Sequence, residues 1–361
     1  MVQSFMLTLK KRRHNILVLG AGGNAGLNII KCFQQAKHPI NIHGSDIDKY
    51  NFAQIPCESK LLLPFMDKNK KTELLLDYIK KHNIDYIHAQ PDLEVKYLLE
   101  NYNLFKPYIF PHRLKMWEKF SNKLYCQKIW DTHFRESNGN MAFSLKEVIE
   151  RPELFYKLKG AQEKVWVRQI SGAGSRASLP VNSLEQAISW ATYWVENKGY
   201  TIDSFMLYEF LPGEEFAVQT FWINGKLIQS QARKRLIYFF ESIMPSGQSS
   251  TPAVAVISAN TKAYETAYKA IKLIDPKPHG IYCVDLKEDK NKMILPMEVN
   301  YGRFFTTSDF FATLGVNTPL AVFDYVMFQK ETKAIESIKK PYHWLRGIDR
   351  DPTLILGDDH F

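Results

Sequence analysis

A carboxylate and an amide stand two residues apart near the end of a predicted strand, in the run MEVNYGR that begins at Met297. Alternate residues of a strand point to the same face, so Glu298 and Asn300 would present their oxygen atoms to one point. Asp285 lies on the preceding predicted strand of the same hairpin, and cross-strand neighbours approach within about 5 Å. Carboxylate and amide oxygens suit hard cations such as Mg²⁺. The spacing therefore predicts a cation site formed by these three side chains.

Two further features would suit a phosphate group held by the same cation. Arg303 follows the strand and offers a positively charged fork that matches phosphate oxygens. Earlier in the chain, the predicted strand 165–170 runs into the segment SGAGSR at 171–176, whose glycines would let backbone N–H groups approach a phosphate closely. This segment lacks the GK[ST] ending of a P-loop, and an ordinary hairpin turn is the alternative interpretation.

The first hundred or so residues alternate between predicted strands and helices. Strands are predicted at 15–19, 40–44, 61–63 and 86–89, and helices at 27–36 and 72–82. Such alternation is typical of a parallel, doubly wound sheet. The glycine-rich turn at 20–26, with Asp46 following it, is compatible with dinucleotide binding. The turn could equally serve only the backbone geometry, or a loop of this domain could receive another small molecule.

The middle of the chain supplies the elements that would carry the phosphate-binding segment. Helices are predicted at 114–120, at 122–134 with Ser121 as N-cap, and at 183–197 with Asn182 as N-cap. The turn-rich stretch 137–140 is predicted to be a hinge between two units. Asn224-Gly225 indicates a tight hairpin turn.

Composition narrows the class of protein. With 361 residues and 45% hydrophobic content, the chain can form two or three domains. The net charge of +9 comes from 47 basic against 38 acidic residues, and much of the excess lies in short basic runs without a nucleic-acid motif. We interpret these runs as solvated faces and expect no nucleic-acid partner. No apolar run approaches the roughly 20 residues of a membrane span, and the basic run at 10–13 follows the apolar start, the reverse of a signal peptide. We therefore expect a cytoplasmic protein without a membrane partner.

The sequence lacks the patterns of several other enzyme classes. Its four cysteines show no CxxC spacing, and they are interpreted as reduced thiols. It contains no GxSxG and no HExxH motif, so hydrolase and metalloprotease functions have little support.

The order of these parts resembles the ATP-grasp superfamily, in particular the carbamoyl-phosphate-synthase-like branch of its carboxylate–amine ligases. The resemblance extends from about residue 15 to residue 328. It implies an α/β protein, with a Rossmann-like pre-ATP-grasp domain at 1–112 followed by a two-subdomain α+β ATP-grasp fold. The small subdomain with its linker helices is expected at 113–205, and the C-terminal subdomain with its tail at 206–361.

The resemblance also implies a nucleotide site. Arg168 matches the basic residue of the nucleotide-binding strand, and Lys123 matches the one that reaches the phosphates from the preceding segment. Glu209 and the backbone of Leu211 would bind the adenine amino edge, and Glu215 the ribose hydroxyls. The full set of cofactor-binding residues that it implies is Lys123, Arg168, Gly172, Gly174, Ser175, Glu209, Leu211 and Glu215.

For the reacting end, the resemblance places Asp285, Glu298 and Asn300 on the magnesium positions of the family. Arg303 matches the arginine that contacts the transferred phosphoryl group, and Arg235 lies in a basic strand that borders the acceptor site. One departure is visible, because the family's Asn-Pro-Arg is one residue longer here. The extra residue would rotate the last arginine unless Gly302 forms a bulge.

The expected function is that of an ATP-grasp ligase that activates a carboxylate as an acyl phosphate for attack by an amine or similar nucleophile. ATP and Mg²⁺ are the implied cofactors, with Mn²⁺ as an alternative ion, and a homodimer is compatible with this assignment. The chemistry needs positioning and neutralisation of charge more than a protein nucleophile. Two alternatives remain at this point: a non-catalytic nucleotide-binding regulator, and an NAD-dependent oxidoreductase built on the turn at 20–26.

Overall fold

The computed structural model describes residues 12–135, 141–160, 163–172, 176–249, 251–329, 337–348 and 350–357. These residues form three sheets: a parallel sheet of four strands, an antiparallel sheet of four strands and an antiparallel sheet of seven strands. No helix in these ranges is long and apolar enough to cross a membrane.

The parallel sheet is formed by the N-terminal part of the chain, as the alternating pattern predicts. Its elements are β1 (His14–Leu19), α1 (Asn24–Gln34), β2 (Ile40–Asp46), α2 (Lys49–Gln54), β3 (Ser59–Leu62), α3 (Lys68–His82) and β4 (Tyr86–Ala89). The strand order is β3-β2-β1-β4. The helix α3 begins earlier than predicted because Asp67 caps it, accepting a hydrogen bond from the backbone N of Lys70 at 2.8 Å.

Four helices connect this sheet to the rest of the chain. They are α4 (Asp92–Glu100), α5 (Tyr102–Phe105), α6 (Leu114–Ser121) and α7 (Lys123–Phe134). The prediction of Ser121 as the N-cap of α7 is wrong. Asn122 takes that position and accepts a hydrogen bond from the backbone N of Tyr125 at 2.9 Å, whereas the Ser121 hydroxyl donates to the carbonyl of Glu118 within α6. The predicted hinge at 137–140 lies outside the described residues.

The small antiparallel sheet has the order β5-β8-β6-β7. Its elements are β5 (Ala142–Ser144), α8 (Leu145–Glu150), α9 (Glu153–Lys159), β6 (Val165–Gln169), β7 (Leu179–Val181), α10 (Leu184–Lys198), a 3₁₀ turn (Ile202–Ser204) and β8 (Phe205–Glu209). Ser183, rather than the predicted Asn182, caps α10 through the backbone N of Gln186. Because β8 pairs with β5 and β6, this sheet extends to Glu209, beyond the predicted boundary at 205.

The large antiparallel sheet has the order β13-β12-β9-β10-β11-β14-β15. Its part of the chain contains β9 (Glu215–Ile223), β10 (Lys226–Tyr238), β11 (Pro252–Ile257), α11 (Thr261–Ile274), β12 (Gly280–Glu288), β13 (Ile294–Tyr301), α12 (Ser308–Thr313), α13 (Thr318–Phe328), β14 (Tyr342–Leu345) and β15 (Thr353–Leu356). The turn between β9 and β10 is the predicted one, with positive φ at Asn224 (49°) and Gly225 (88°), as a type I′ turn requires.

The parallel sheet and the large sheet share a hydrophobic core. Ile29 and Phe33 of α1 belong to the same buried cluster as Phe310 of α12 and Phe323 of α13. A buried hydrogen bond adds to this contact, because the backbone N of Ser308 donates to Oδ1 of Asn28 at 2.6 Å. The N-terminal domain is thus held directly against the residues that follow the predicted cation site.

Candidate active site

A cleft lies between the small and large sheets and reaches the N-terminal domain. It encloses about 1170 Å³ of empty space, part of which is open to solvent. The small sheet contributes Trp166, and the N-terminal domain contributes Ala25 and Gln90. The predicted site residues that line the cleft are Arg168, Glu209, Leu211, Glu215, Arg235, Asp285, Glu298, Asn300 and Arg303.

The hairpin of β12 and β13 brings the three predicted cation ligands together. Asp285 stands directly opposite Glu298 in the strand register, and the pairing shifts immediately afterwards, between Asp285 and Leu286. Asn300 lies two residues further along β13, and its Nδ2 donates to Oδ2 of Asp285 at 3.4 Å. Strand alternation and hairpin pairing are therefore sufficient to place all three side chains at one end of the cleft.

Glu298 is surrounded by positive charge. Arg168 forms an ion pair with it from the small sheet, and Nζ of Lys123 lies 3.7 Å from its Oε2. Burial alone would raise the pKa of Glu298, but Arg168 and Lys123 more than offset burial and hold that pKa well below its usual range. The residue is therefore an anion at any physiological pH.

Asp285 has a different electrostatic environment. Its Oδ1 accepts a hydrogen bond from Arg235 at 2.5 Å. Burial nevertheless raises the pKa of Asp285 above its usual value, and the neighbouring Glu298 adds to that rise although Arg235 opposes it. Two carboxylates that share one site repel each other, and a divalent cation between them would remove the repulsion.

The donor set suits a hard divalent cation. Two carboxylates and the amide of Asn300 supply oxygen atoms only, and each is now contacted by a cationic side chain or by another member of the set. Among the described residues, no three His, Cys, Asp or Glu side chains come together as metal ligands. A cation at this site would accordingly take its remaining ligands from water and phosphate oxygens, as Mg²⁺ usually does.

Arg303 reaches the same end of the cleft despite the extra residue before it. Gly302 has a φ of +83° and its backbone N donates to the carbonyl of Ile281 at 2.9 Å, so glycine absorbs the insertion. Arg303 turns back and donates a hydrogen bond to Oδ1 of Asn300. Its Nε also lies 2.9 Å from Oδ1 of Asp92, which the sequence reasoning missed.

A signal for Asp92 was available in the sequence. It is the first residue of α4 and follows β4, and ligand-binding residues of parallel sheets lie beyond the carboxyl ends of the strands. The position alone, however, does not reveal a partner that is more than 200 residues away in the chain.

Glu209 is ion-paired at the other end of the cleft. Nη1 of Arg135, which follows α7, lies 2.6 Å from Oε2 of Glu209, and its Nη2 donates to the Tyr208 hydroxyl at 3.1 Å. The sequence reasoning did not find Arg135, because nothing local marks a buried arginine after a helix as the partner of a distant strand. Leu211, predicted to bind adenine through its backbone, lies two residues further on and is buried.

Glu215 is enclosed by three donors. The Tyr238 hydroxyl, Nε2 of Gln248 at 2.5 Å and Nζ of Lys287 at 2.5 Å all contact its carboxylate. Burial would raise the pKa of Glu215, but Lys287 and Arg235 more than offset it and leave that pKa below its usual range. The carboxylate is anionic and fixed in direction, and its role towards a ribose stays a prediction.

The segment predicted to bind phosphate, 171–176, is only partly described. Gly174 and Ser175 lie outside the described residues. Gly172 has a φ of +133°, which favours glycine, and its carbonyl accepts a hydrogen bond from Nζ of Lys123 at 2.7 Å. Lys123 therefore joins this segment to Glu298.

The glycine-rich turn at 20–26 is arranged differently. Oδ2 of Asp46 accepts from the backbone N of Gly22 at 3.1 Å, and its Oδ1 accepts from the backbone N of Ile47 at 2.8 Å and of Asp48 at 3.0 Å. Both oxygens are thus used to hold the turn, and Asp46 is only 5% exposed. This arrangement counts against the dinucleotide-binding alternative, which needs this carboxylate for a ribose.

No protein-family model and no curated protein matches the sequence. Solved structures do resemble it over most of its length. The L-amino acid ligase from Bacillus licheniformis has a TM-score of 0.62 at 12% identity, covering 93% of this chain and 80% of that protein. The N5-carboxyaminoimidazole synthetase from Staphylococcus aureus, solved with ADP, has a TM-score of 0.61 at 13% identity and coverages of 93% and 83%.

A third similar structure is the biotin carboxylase domain dimer of the Hydrogenobacter thermophilus 2-oxoglutarate carboxylase, in complex with MgADP, ADP and bicarbonate. Its TM-score is 0.59 at 14% identity, with coverages of 92% and 74%. These neighbours have the ATP-grasp fold. The chain described here has the same fold, so the α/β architecture expected from the resemblance is confirmed. At these identities the likeness establishes the fold alone.

Proposed function

We propose that this protein is an ATP-dependent ligase. It transfers the terminal phosphoryl group of ATP to a carboxylate, an amine or similar nucleophile attacks the resulting acyl phosphate, and ADP and phosphate are released. The observation that carries this proposal is the meeting of Asp285, Glu298 and Asn300 with three arginines, Arg168, Arg235 and Arg303, at one end of a cleft. The ligase and synthetase functions of the similar structures support it.

Asp285, Glu298 and Asn300 are the residues that would hold Mg²⁺, or Mn²⁺ in its place. The bound ion would neutralise part of the negative charge on the nucleotide phosphates. The protein's contribution is to keep Glu298 and Asp285 opposite each other and to orient Asn300 through Arg303.

Cationic side chains supply the rest of the electrostatic stabilisation. Arg168 and Lys123 now contact Glu298, and in the nucleotide complex they would contact phosphate oxygens instead. Arg303 and Arg235 would orient the transferred group and the carboxylate that receives it. Fixed donors in a site that excludes water are worth far more than the same donors in water, so this transfer needs no protein nucleophile.

A mechanism without a protein nucleophile is consistent with the state of the cysteine that lines the cleft. Cys283 lines the cleft, but burial raises the pKa of its thiol well above the usual value, so it is not a thiolate. The nearby Asp285 raises that pKa further.

At the nucleotide end, Glu209 and the backbone of Leu211 would bind adenine, and Glu215 the ribose hydroxyls. Gly172, Gly174 and Ser175 would cover the phosphates. A homodimer is compatible with this proposal, since one similar structure is a domain dimer. The alternative of a non-catalytic nucleotide-binding regulator is disfavoured by the intact set of oxygen ligands, which such a protein does not need.

Hydroxylamine provides a test that does not depend on the identity of the amine, because it captures acyl phosphates as hydroxamates. With Mg²⁺, ATP and pooled amino acids or sugar acids, the wild type should release ADP and form hydroxamate. Glu298→Gln should lower turnover at least about 100-fold, the usual effect of removing a main electrostatic group. Glu185→Gln, which changes an exposed glutamate on α10, is the matched control. Binding of ATP without hydroxamate from any acid would favour the regulator.

A further inference from the structure

One arginine in the cleft forms no ion pair with any carboxylate that the structure describes. Arg233 lies two residues before Arg235 on β10, lines the cleft and is only 2% exposed. Arg168, Arg235 and Arg303 each contact a carboxylate, whereas Arg233 is ion-paired to none among the described residues. Its Nε has no hydrogen-bond acceptor there either. A buried charge without a partner is costly, so this one is a strong candidate for binding a ligand.

The guanidinium of Arg233 is held in a fixed orientation. Its Nη1 donates to the Thr307 hydroxyl, and the central carbon of the guanidinium lies 4.4 Å from the ring centroid of Phe305. Burial and the neighbouring Arg235 lower the pKa of Arg233 to about 9, although the charge of Asp285 opposes the shift. An anion beside Arg233 would restore that pKa and complete the hydrogen bonds of the guanidinium.

A second unused donor lies in the same wall of the cleft. Oγ1 of Thr306 is buried and has no hydrogen-bond partner in the described part of the chain, and Thr306 lines the cleft together with Phe305. Thr306 precedes Thr307, the residue that accepts from Arg233, so Thr306 and Arg233 line the same wall of the cleft.

The third component is the start of α1. Ala25, in its first turn, lines the cleft, and the cap residue Gly23 offers no side-chain hydrogen bond. The first turn contains no acidic residue. Asn28, one turn later, accepts hydrogen bonds from the backbone N of Ser308, so this helix start is fixed against the segment that contains Thr306. The free N–H groups of a helix start attract negative charge.

Together, these groups suit a carboxylate. They offer one positive charge, one hydroxyl and a helix start, which matches a monoanion better than a doubly charged phosphate. Arg235 lies two residues after Arg233, and Arg303 lies three residues before Thr306. This wall therefore adjoins the end of the cleft assigned to phosphoryl transfer. A short acid could reach both places.

We propose that Arg233, Thr306 and the start of α1 bind a second carboxylate, carried by the acid that the enzyme activates. The substrate class is then a short dicarboxylic acid or acidic amino acid, of which one carboxylate is phosphorylated and the other is bound at Arg233. This inference rests on the ligase function proposed above, and it adds the substrate class.

The test compares acids with their half-amides. Hydroxamate formation with ATP, Mg²⁺ and hydroxylamine is measured for succinate, glutarate, aspartate and glutamate, and for succinamate, glutaramate, asparagine and glutamine. The wild type should prefer at least one diacid over its half-amide by about 10- to 100-fold in kcat/KM, the range expected for a charge-assisted hydrogen bond. Arg233→Gln should abolish that preference, mainly through KM for the diacid. The Gln side chain can still donate to Thr307, which favours folding.

Two further variants, one in the proposed site and one away from it, complete the test. Thr306→Val should reduce the preference by a smaller factor, about threefold to tenfold. Lys226→Gln, which removes a charge from the exposed start of the same strand, should leave it unchanged. Equal use of diacids and half-amides by the wild type, or an unchanged preference in Arg233→Gln, would overturn the proposal, as would a preference for phosphoserine over aspartate.

The failure of this inference can be told apart from the failure of the ligase function. Hydroxamate from monocarboxylic acids but from none of the diacids would overturn the inference and leave the ligase function standing. No hydroxamate from any acid would count against the ligase function. In that case, thermal shift with glutarate decides the anion site: stabilisation of the wild type and its loss in Arg233→Gln support the site, and equal or absent stabilisation refutes it.

Discussion

The hairpin of β12 and β13 and the glycine-rich turn that follows β1 each involve an aspartate, yet the two carboxylates are used in opposite ways. Asp46, at the end of β2, has both oxygens occupied by backbone N–H groups, one from Gly22 in the glycine-rich turn and two from Ile47 and Asp48, the residues that follow it. Asp285 faces another carboxylate, Glu298, and the hydrogen bonds that it accepts from described residues come from side chains of the cleft. The first arrangement stabilises a loop, and the second remains available to a ligand.

The two aspartates differ in the groups that donate hydrogen bonds to their carboxylate oxygens. Backbone donors are fixed, so a ligand could displace them from Asp46 only by unfolding the turn. Arg235 is a side chain that can turn towards a phosphate, and Asn300 can turn its amide oxygen towards a cation that binds beside Asp285. A glycine-rich turn followed by an acid is therefore weaker evidence for a binding site than two acids opposite each other in a hairpin.

The largest expected effect comes from removing the charge of Asp285. Asp285→Asn should lower ATP turnover at least about 100-fold, because one of the two anionic ligands of the proposed cation is lost. The measurement is hydroxamate formation, together with the Mg²⁺-dependent thermal stabilisation by ATP. The comparison between the two aspartates fails if Asp285→Asn keeps both wild-type turnover and the Mg²⁺ effect.

Asp46→Asn should lower the stability of the protein rather than its turnover. An amide can accept from only one side, so at least one backbone N–H loses its acceptor and the free energy of unfolding should fall by about 1 to 3 kcal/mol. Turnover of the folded protein at a temperature well below unfolding should stay close to that of the wild type. Denaturant unfolding and the hydroxamate assay measure the two quantities, and a specific loss of turnover without a loss of stability would contradict the structural role.

Much of the fold and of the site follows from local patterns. The alternation of strands and helices predicts the parallel sheet, and Asn224-Gly225 predicts the hairpin that the structure shows. The oxygen-donor set of β12 and β13 is predictable because strand period and hairpin pairing are local geometry. The N-caps of α7 and α10 were each misplaced by one residue, since neighbouring polar residues compete for the cap and only the backbone decides between them.

The partners of the site residues could not be predicted in the same way. Arg135, Asp92 and Arg233 act through contacts between elements that are far apart in the chain. A single arginine or aspartate after a helix or strand carries no signal for such a contact. Their identification needs the packing of the three sheets.

His88 lies near the carboxyl end of another strand of the parallel sheet. It is buried on β4, bonded to Oε1 of Gln90 at 2.9 Å and packed on Phe304 at 4.7 Å between ring centroids. Burial lowers the pKa of His88 to about 4, with Gln90 opposing the shift. In the unfolded chain this histidine binds a proton below about pH 6.5, whereas in the folded protein it stays neutral until the pH falls to about 4.

Stability should consequently fall as the pH falls through this window. The share that His88 contributes between pH 7 and pH 5 is at most about 2 kcal/mol. His88→Gln, which cannot be protonated, should lose less stability than the wild type over the same interval in denaturant unfolding. Parallel losses in the two proteins would show that other groups cause the pH dependence.

Asp92 offers the smallest and most specific test, because it connects the N-terminal domain to the proposed phosphoryl-transfer site. Its ion pair with Arg303 is partly exposed, with the Asp92 side chain 28% accessible, so its direct energetic value is modest. Asp92→Asn should lower kcat by about threefold to tenfold and change KM for ATP less, because Arg303 keeps its hydrogen bond to Asn300 but loses the second contact that fixes its direction.

Two other variants show whether Asp92 acts through Arg303. Asp92→Glu keeps the charge and should restore part of kcat. Asp77→Asn, an exposed aspartate on α3, should have no effect on either constant. If Asp92→Asn behaves like Asp77→Asn, then Asp92 does not position Arg303. The N-terminal domain would then act on this end of the cleft through other contacts, such as that of Gln90, which accepts from the backbone N of Phe304 at 3.3 Å and donates to its carbonyl at 2.9 Å.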